Sequence, residues 1–241
     1  MKLNRDECNV KWVAHRGFSA RETENTCAAF VAAGKEKGFF AIESDVHVTK
    51  DGAYLMHHDS DTYRMCGEHH IIEQTEASVL RALGQIDLHT GKVNEALRLP
   101  ELSDYFEICR AYEKWAVLEL KESMQARHVA GIADAAKQCD MLEKTIFISF
   151  YPENLLALRK LLPQQPAQFL TQKTPHANVL AFLRENRFDL DIRGDKLTAA
   201  AARRLRAQGC AINCWTVNDP DLAKRLCAKG ADYLTSNELH G

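Results

Sequence analysis

The segments WVAHRG (residues 12–17) and AIESDV (residues 41–46) each resemble a short apolar strand that ends in charged residues. Enzymes built from parallel strands and helices keep their active sites at strand ends. Glu43 and Asp45 are two residues apart, and side chains at positions i and i+2 of a strand point to the same side. We therefore expect both carboxylates to face one space, where two anions favour a divalent cation with oxygen ligands.

Short apolar runs alternate with longer amphipathic stretches along the chain. The apolar runs predict strands near residues 10–15, 39–47, 116–120, 145–150, 167–172, 188–193, 210–217 and 232–236. The amphipathic stretches predict helices near residues 25–37, 101–114, 125–140, 153–162, 176–186, 198–208 and 219–229. Repeated strand–helix units are typical of a parallel sheet covered by helices. Eight strands favour the α/β fold of a closed (β/α)8 TIM barrel, and an open doubly wound sheet is the alternative that periodicity leaves open.

Residues 51–100 interrupt this alternation. Lys50-Asp51-Gly52 favours a hairpin turn, and a polar, irregular stretch follows up to Pro100. A connection of this length in a compact domain is usually functional or carries a small structure of its own. We interpret residues 1–241 as a single barrel domain, in which residues 51–100 form a hairpin and capping insertion after the second strand.

Composition and charge exclude several classes of protein. The chain has 241 residues, 46% of them hydrophobic, and its 31 basic and 33 acidic residues give a net charge of −2. This balance lacks the basic surface typical of proteins that bind nucleic acid, and the apolar runs are too short for a transmembrane segment. The first residues lack the apolar core of a signal peptide. The oligomeric state stays open, because outer helix faces and interface faces look alike in a sequence.

Eight cysteines are scattered along the chain without a C-x-x-C pair. Their spacings do not match a zinc site. Reduced thiols that act as small core residues are typical of cytoplasmic proteins. We therefore predict a cytoplasmic protein with eight free thiols in its core.

A third carboxylate extends the candidate metal site. Glu119 lies between two leucines of a predicted buried strand, and a buried carboxylate needs a cation, a metal or a proton. We predict that Glu43, Asp45 and Glu119 hold one divalent cation, Mg²⁺ or Ca²⁺. Lys121 then acts as a point charge for a substrate phosphate. A purely structural ion pair between Glu119 and Lys121 is the alternative, because these residues also face the same side.

Histidines supply the candidate acid and base. His15 ends the first strand beside Arg16, whose guanidinium suits phosphate oxygens. His57 and His58 follow the apolar run Tyr54-Leu55-Met56. Two imidazoles, one neutral and one protonated, are typical of phosphoester cleavage near pH 7.

Two further positions complete the candidate site. Asn25 or Thr26 fits the N-cap of the first helix, whereas Glu24 is expected to orient a histidine or contact the substrate. Trp215 closes the seventh strand, where it forms either core or the apolar wall of a pocket. The candidate substrate-binding residues are thus Arg16, Glu24, Lys121 and Trp215.

Over essentially its whole length, the chain resembles the glycerophosphodiester phosphodiesterases. The order and spacing of several short motifs carry this resemblance more than any one of them. The motifs are His15-Arg16-Gly17, Glu24-Asn25-Thr26, Glu43-Ser44-Asp45, Thr49-Lys50-Asp51-Gly52, His58-Asp59 with Thr62 and Arg64, Leu99-Pro100-Glu101-Leu102, Leu118-Glu119-Leu120-Lys121, Ser149-Phe150 and Trp215-Thr216-Val217-Asn218.

The resemblance implies a barrel with a small insertion after the second strand. It implies a divalent cation on Glu43, Asp45 and Glu119, with His15 and His58 as the acid–base pair. The implied reaction is hydrolysis of a small-molecule glycerophosphodiester to glycerol 3-phosphate and an alcohol. The glycerol hydroxyl next to the phosphate attacks phosphorus, and water then opens the cyclic phosphate.

Three features depart from the family pattern. Thr23 replaces a common proline, which we expect to alter only a loop. The doubled histidine leaves open which imidazole enters the site, and we choose His58 because it directly precedes Asp59. Asn237 stands where the family commonly has aspartate, and we expect this change to alter substrate contacts.

Three other functions compete with this interpretation. A lysophospholipase D or a sphingomyelinase-D-like phosphodiesterase would use the same histidines and acids, but no aromatic or apolar surface for docking on a membrane is identified in the sequence. A non-catalytic phosphate-binding barrel is a second alternative. A Schiff-base aldolase at Lys121 is the third, and it leaves Glu43, Asp45 and His58 without a role.

Overall fold

Eight parallel strands close into a barrel in the computed structural model, which describes residues 2–3 and 8–241. In these ranges the strands are β1 (Lys11–Ala14), β2 (Ala41–Val48), β3 (Tyr54–Met56), β4 (Gln85–Ile86), β5 (Val93–Asn94), β6 (Trp115–Leu120), β7 (Thr145–Ser149), β8 (Ala167–Thr171), β9 (Asp189–Arg193), β10 (Ile212–Trp215) and β11 (Tyr233–Ser236). The α-helices are α1 (Cys27–Lys35), α2 (Tyr63–Cys66), α3 (Ala77–Leu80), α4 (Leu102–Ala111), α5 (Ala126–Gln138), α6 (Pro152–Leu161), α7 (Ala177–Asn186), α8 (Ala199–Ala207) and α9 (Pro220–Lys229).

Closure of the barrel follows from the pairing of its first strand. Around the barrel the strands run β1, β11, β10, β9, β8, β7, β6 and β2. Val13 of β1 lies opposite Thr235 of β11 on one side and Ala41 of β2 on the other. The predicted (β/α)8 TIM barrel is therefore confirmed, and the open doubly wound sheet is excluded. The predicted strands and helices of the barrel are all present, with boundaries that differ by a few residues.

Two helices of the barrel begin or end at residues typical of helix ends. Thr26 caps α1, because its hydroxyl oxygen accepts a hydrogen bond from Ala29 N at 3.2 Å. Asp219 caps α9 ahead of Pro220, and Gly230 ends that helix in the left-handed conformation. Local sequence thus sets the boundaries of these two helices.

The barrel interior changes character along the strands. One apolar cluster fills part of it, formed by Val13, Ala41, Val117, Ile146, Ile148 and Leu170. The opposite strand faces pack against the helices in a larger apolar core. Glu43 and Asp45 continue the alternation that begins at Ala41, and Glu119 continues the alternation from Val117. The barrel interior is therefore charged at the carboxyl ends of β2 and β6, and it is filled with apolar side chains next to these acids.

Residues 51–100 form β3, α2, α3, β4, β5 and a short 3-10 turn at Ile72–Gln74. β3 pairs antiparallel with the end of β2, whereas β4 and β5 form a separate antiparallel ladder. A small apolar cluster joins β3, α2, the 3-10 turn and α3: Leu55, Met65, Cys66, Ile72, Ala77, Leu80, Leu83 and Leu99. Thr23 ties the segment to the loop after β1, since its hydroxyl donates to Ile86 O at 3.2 Å and accepts from Leu88 N at 2.9 Å.

The cysteines differ from the sequence prediction at three positions. Cys8, which precedes β1, forms a disulfide with Cys227 of α9, and Cys27 is exposed at the start of α1. The prediction of eight free core thiols is therefore wrong. The two bonded cysteines are 219 residues apart, and they meet because the first and last units of a closed barrel are neighbours. In the described ranges, no helix combines the length and the apolar composition needed to cross a membrane.

The turn between β1 and α1 requires glycine at position 17. Gly17 has a φ of +77°, a left-handed conformation that residues with a Cβ disfavour. A Cβ at this position would lie 2.6 Å from the backbone carbonyl carbon of Ala29. Hydrogen bonds from Gly17 N to Glu43 O (3.1 Å) and from Phe18 N to Ala29 O (2.9 Å) hold the turn against β2 and α1. At this turn the backbone of Gly17 therefore packs directly against the backbone of α1.

Gly17→Ala is expected to lower the free energy of unfolding more than Gly67→Ala. Gly67 has a similar φ of +75°, but a Cβ there meets no atom within 4 Å. Gly67→Ala therefore reports the backbone cost alone, about 1 kcal/mol, and Gly17→Ala adds overpacking of about 1–3 kcal/mol. Urea denaturation followed by circular dichroism measures both variants. Equal losses would contradict the close packing at Gly17.

Candidate active site

Three carboxylates meet at the carboxyl ends of β2 and β6. Glu43 and Asp45 are alternate residues of β2, and Asp45 lies opposite Glu119 of β6 in the parallel register. One carboxylate oxygen from each residue lies within 4.8 Å of the others. Glu43 is 3% exposed, Asp45 1% and Glu119 7%. The spacing in sequence and the register of the sheet together produce a buried acidic cluster.

Burial and mutual repulsion make these acids unequal. Burial together with the neighbouring Asp45 raises the pKa of Glu119 to about 8 and holds the pKa of Glu43 well above its usual range. Burial acts on Asp45 in the same direction, but nearby cationic groups, Lys121 foremost, outweigh it and hold the pKa of Asp45 well below its usual range. The cluster therefore holds one stable anion and two carboxyl groups that need a further cation to ionise.

Two cationic side chains of the barrel contact the carboxylates. Lys121 Nζ lies 3.1 Å from Glu119 Oε1 and 3.6 Å from Asp45 Oδ1. Arg16 Nε lies 3.8 Å from Asp45 Oδ2, and the Arg16 backbone N–H donates to Glu43 Oε2 at 2.8 Å. The contact between Glu119 and Lys121, which the sequence leaves open as a structural alternative, is therefore present.

The donor set fits a hard divalent cation. Carboxylate oxygens are the ligands that Mg²⁺ and Ca²⁺ take in proteins, and a bound cation would favour the ionised form of Glu43 and Glu119. Within residues 2–3 and 8–241, no other group of three histidine, cysteine, aspartate or glutamate side chains converges in this way. Glu43, Asp45 and Glu119 are thus the residues of the described chain best suited to hold a metal ion.

Asn25 is a functional candidate that sequence analysis missed. Its side-chain NH₂ donates to Asp45 Oδ2 at 2.9 Å, and its amide oxygen accepts from Ser44 Oγ at 2.7 Å. Asn25 is buried and has a φ of +52°, a conformation that asparagine tolerates better than most residues. Because Thr26 alone caps α1, an asparagine directly before it needed another explanation. An asparagine next to a residue that already caps the helix was therefore the only sign in the sequence that Asn25 has a further role.

His15 follows β1 and lines the cavity above the carboxylates. Its Nδ1 lies 2.7 Å from Oδ1 of Asn237, which directly follows β11. Burial, and next the adjacent Arg16, lower the pKa of His15 to about 4. The imidazole is therefore neutral near pH 7. Sequence analysis relates Asn237 to substrate contacts, whereas the structure places its amide on His15.

His58 faces the cavity, whereas His57 turns away from it. His57 is 1% exposed, and its Nε2 lies 3.1 Å from the backbone oxygen of Asp61. His58 Nδ1 lies 2.6 Å from Asp59 Oδ1. Burial lowers the pKa of both histidines. Of the two imidazoles that the sequence offers, the one before Asp59 therefore lies in the site.

A chain of ion pairs joins the insertion to the barrel. Arg64 of α2 donates from Nε to Asp59 Oδ2 at 2.6 Å and from Nη2 to Glu24 Oε1 at 2.7 Å. Glu24 Oε1 also accepts from Arg16 Nη1 at 2.8 Å. Glu24 thus contacts two arginines, and the connection runs from His58 through Asp59, Arg64 and Glu24 to Arg16.

The cavity at this end of the barrel has a volume of about 260 Å³. Its lining residues are His15, Arg16, Glu43, His58, Glu119, Ile148, Phe150, Leu170, Gln172, Asp191, Trp215 and Thr235. Phe150 and Trp215 form an apolar wall, with ring centroids 5.7 Å apart in an edge-to-face arrangement. Nε1 of Trp215 is buried without a hydrogen-bond partner among the described residues. The cavity therefore joins a charged floor to an apolar side.

Sequence analysis also missed Asp191 of β9. Burial, and next the nearby Glu119, raise the pKa of Asp191 well above its usual range. Its Oδ2 accepts from Asn213 Nδ2 at 3.2 Å. Alternation in the strand DLDIR (residues 189–193) places this acid inside the barrel, and that alternation was the available indication.

The insertion exposes several large apolar side chains. Seven large apolar side chains of the described residues are exposed, and five of them lie in residues 51–100: Tyr63, Ile71, Val79, Leu88 and Val93. Sequence analysis identified no apolar surface of this kind. Tyr63 directly precedes Arg64, and Leu88 hydrogen-bonds to Thr23, so two of these side chains lie near the chain of ion pairs.

Comparison with known proteins identifies the family. Residues 15–240 match the model of the glycerophosphoryl diester phosphodiesterase family. A glycerophosphodiester phosphodiesterase of Bacillus altitudinis is 26% identical over 232 residues, 93% of each chain. Another, of Caldanaerobacter subterraneus, is 25% identical over 230 residues, 94% of this chain and 93% of the relative.

Solved structures agree with the sequence comparison. An Oleispira antarctica phosphodiesterase, solved in complex with the product sn-glycerol-3-phosphate, superposes with a TM-score of 0.86 at 25% identity. The superposition covers 94% of this chain and 92% of that chain. The matched range 15–240 contains every strand of the barrel after β1, the three carboxylates and both cavity histidines. The chain therefore belongs to the glycerophosphoryl diester phosphodiesterase family and is an enzyme of that family.

Proposed function

We propose that this enzyme hydrolyses glycerophosphodiesters to glycerol 3-phosphate and an alcohol, in a metal-dependent reaction with His15 and His58 as base and acid. One observation carries the proposal: two members of the buried three-carboxylate cluster, Glu43 and Glu119, line a cavity of about 260 Å³ together with the imidazoles of His15 and His58. The substrate is a small molecule with one negative charge on its phosphodiester, and Arg16 and Lys121 supply positive charge beside the cluster.

In this proposal Glu43, Asp45 and Glu119 hold one divalent cation, Mg²⁺ or Ca²⁺. When bound, the cation supplies Lewis-acid stabilisation of charge on the phosphoryl oxygens. Arg16 supplies a planar guanidinium for the same oxygens, and Lys121 supplies a point charge. Glu24 orients Arg16 through their 2.8 Å hydrogen bond.

His15 acts as the general base. Burial keeps its imidazole neutral near pH 7, and its Nδ1 is engaged with Asn237, so Nε2 is the atom left to take a proton. His15 removes the proton of the glycerol hydroxyl next to the phosphate. That oxygen bonds to phosphorus, the bond from phosphorus to the leaving oxygen breaks, and a cyclic phosphate forms.

His58 acts as the general acid. Asp59 accepts a hydrogen bond from its Nδ1, and a carboxylate in this position favours the imidazolium. The negative charge of a bound phosphodiester favours the imidazolium further. His58 protonates the leaving alcohol oxygen. With the roles reversed, His58 takes a proton from water, which opens the cyclic phosphate, and His15 returns its proton to the glycerol oxygen.

The insertion completes the site in this proposal. Residues 51–100 belong to the single barrel domain and cap its carboxyl end, because His58, Asp59 and Arg64 all come from them. Phe150 and Trp215 give the substrate an apolar wall. A cytoplasmic location stays a prediction from the sequence.

A lysophospholipid is the second candidate substrate. Five exposed apolar side chains on residues 51–100 favour it, because such side chains suit contact with an acyl chain or a lipid surface. The reaction would be the same cleavage, with the phosphodiester of a monoacyl lipid in the cavity.

The test is release of glycerol 3-phosphate from glycerophosphocholine by purified protein. We expect activity to disappear with a chelator and to return with Mg²⁺ or Ca²⁺, because uncompensated acids at Glu43 and Glu119 take up protons. His15→Ala and His58→Ala are each expected to lower kcat by about 10²- to 10⁴-fold. Product analysis on lysophosphatidylcholine in parallel separates the two substrates.

Each result has a defined meaning. Activity that is indifferent to the chelator would contradict the metal site. Turnover of lysophosphatidylcholine alone would replace the proposed substrate with the second candidate. Absence of turnover with both substrates and either metal would favour the non-catalytic barrel.

Arg64→Ala is expected to lower kcat by about tenfold or more, because Asp59 and Glu24 lose a shared partner and His58 loses its support. Arg64→Lys should recover only part of the loss, since one ammonium group does not reproduce the separate hydrogen bonds that the guanidinium makes to Asp59 and Glu24. Steady-state kinetics on glycerophosphocholine measures both. Arg184→Ala, an exposed residue of α7, serves as the control and should keep the parent rate. Full activity of Arg64→Ala would show that the ion-pair chain has no part in catalysis.

A further inference from the structure

Asn237 lies where the first and last strands of the barrel meet. Its Oδ1 is 2.7 Å from His15 Nδ1 and 3.1 Å from Ser19 Oγ. Its backbone is held independently of the side chain. Asn237 N donates to Asn218 Oδ1 at 2.9 Å, and Asn237 O accepts from Ala20 N at 3.2 Å.

We propose that Asn237 is a positioning residue for His15: its amide oxygen accepts the Nδ1 proton, so that Nε2 faces the cavity as a neutral base. The proposal rests on the function proposed above and adds a residue that acts only through His15. An imidazole with both nitrogens free would divide between two tautomers, and one of them has no lone pair on Nε2. The hydrogen bond to Asn237 removes that ambiguity.

An amide and a carboxylate at this position have different consequences. Both accept the Nδ1 proton, but only a carboxylate carries a charge that stabilises the imidazolium. The charged groups that face His15 are Arg16 after β1, Asp45 on β2 and His58 after β3. Glu43 and Glu119 line the same cavity. With a neutral acceptor, burial and Arg16 keep the pKa of His15 low.

A functional consequence follows for the pH range of the enzyme. A base with a low pKa stays unprotonated when the solution becomes acidic. With asparagine at position 237, activity therefore falls off at a lower pH on acidification than it would with aspartate. Asn237 extends the working range of His15 toward acid pH.

Two measurements test the proposal on the protein of 241 residues in the presence of Mg²⁺. The first is histidine ¹⁵N NMR of the parent and of Asn237→Ala, which reports which ring nitrogen of His15 carries the proton. We expect protonated Nδ1 in the parent and a mixture of tautomers in Asn237→Ala. This readout does not depend on turnover, so it separates failure of this inference from failure of the proposed function.

The second measurement is the pH profile of kcat/KM for glycerophosphocholine. Asn237→Asp should move the acid limb upward by about one pH unit, because the new carboxylate favours the imidazolium. Asn237→Ala should lower kcat about tenfold or more and leave the fold intact, since the backbone contacts of Asn237 remain. Asn9→Asp adds the same charge at an exposed position before β1, at the opposite end of the barrel, and should shift nothing.

Three results would overturn the proposal. Protonated Nε2 in the parent spectrum would reverse the assigned hydrogen bond. An acid limb of Asn237→Asp that coincides with the parent profile would remove the electrostatic argument. Asn237→Ala with parent kinetics and an unchanged tautomer would show that Asn237 does not position His15.

Discussion

The confinement of three carboxylates to one buried space is the constraint on which the rest of the site depends. Like charges at this spacing repel strongly where water is scarce. The loop after β1 supplies Arg16 and Asn25, and the chain directly after β6 supplies Lys121. Each of the three directs a donor or a positive charge at the cluster. Arg16 and Asn25 both adopt left-handed backbone conformations to do so, with φ of 55° and 52°. Backbone conformations of this kind persist only where the surrounding structure holds them. The loop after β1 is therefore shaped by the acids of β2.

The insertion and the barrel share one electrostatic network. Exposed ion pairs contribute little in isolation, but Glu24 and Asp59 are partly buried and each contacts Arg64. The network keeps the segment that carries His58 close to the segment that carries Arg16. The small apolar core of residues 51–100 holds the insertion together, while these ion pairs direct it toward the cavity. The apolar core thus stabilises the insertion itself, and the ion pairs fix its position relative to the barrel.

The barrel was predictable from the sequence because each strand–helix unit is recognisable locally. The acidic cluster was predictable for the same reason, since Glu43 and Asp45 share a strand and Glu119 lies near the end of the next barrel strand. The insertion was not predictable in detail, because elements such as β4, with two residues, are too short to show a period. Asn237 and His15 are 222 residues apart, and only closure of the barrel brings them together. Contacts between the first and last strands of the barrel leave no pattern in the local sequence from which they could be predicted.

The two cavity histidines differ in the group that accepts their Nδ1 proton, an amide for His15 and a carboxylate for His58. Cleavage of a phosphodiester needs one group to accept a proton and another to donate one at nearly the same moment. Two imidazoles in identical surroundings would have the same proton affinity and would not divide these tasks. Burial and Arg16 lower the pKa of His15, and a neutral acceptor at one ring with an anionic acceptor at the other adds to the difference between the two rings. The barrel provides this asymmetry because Asn237 comes from its last strand and Asp59 from the insertion after its second. The proposed division of roles therefore depends on the topology as much as on the histidines.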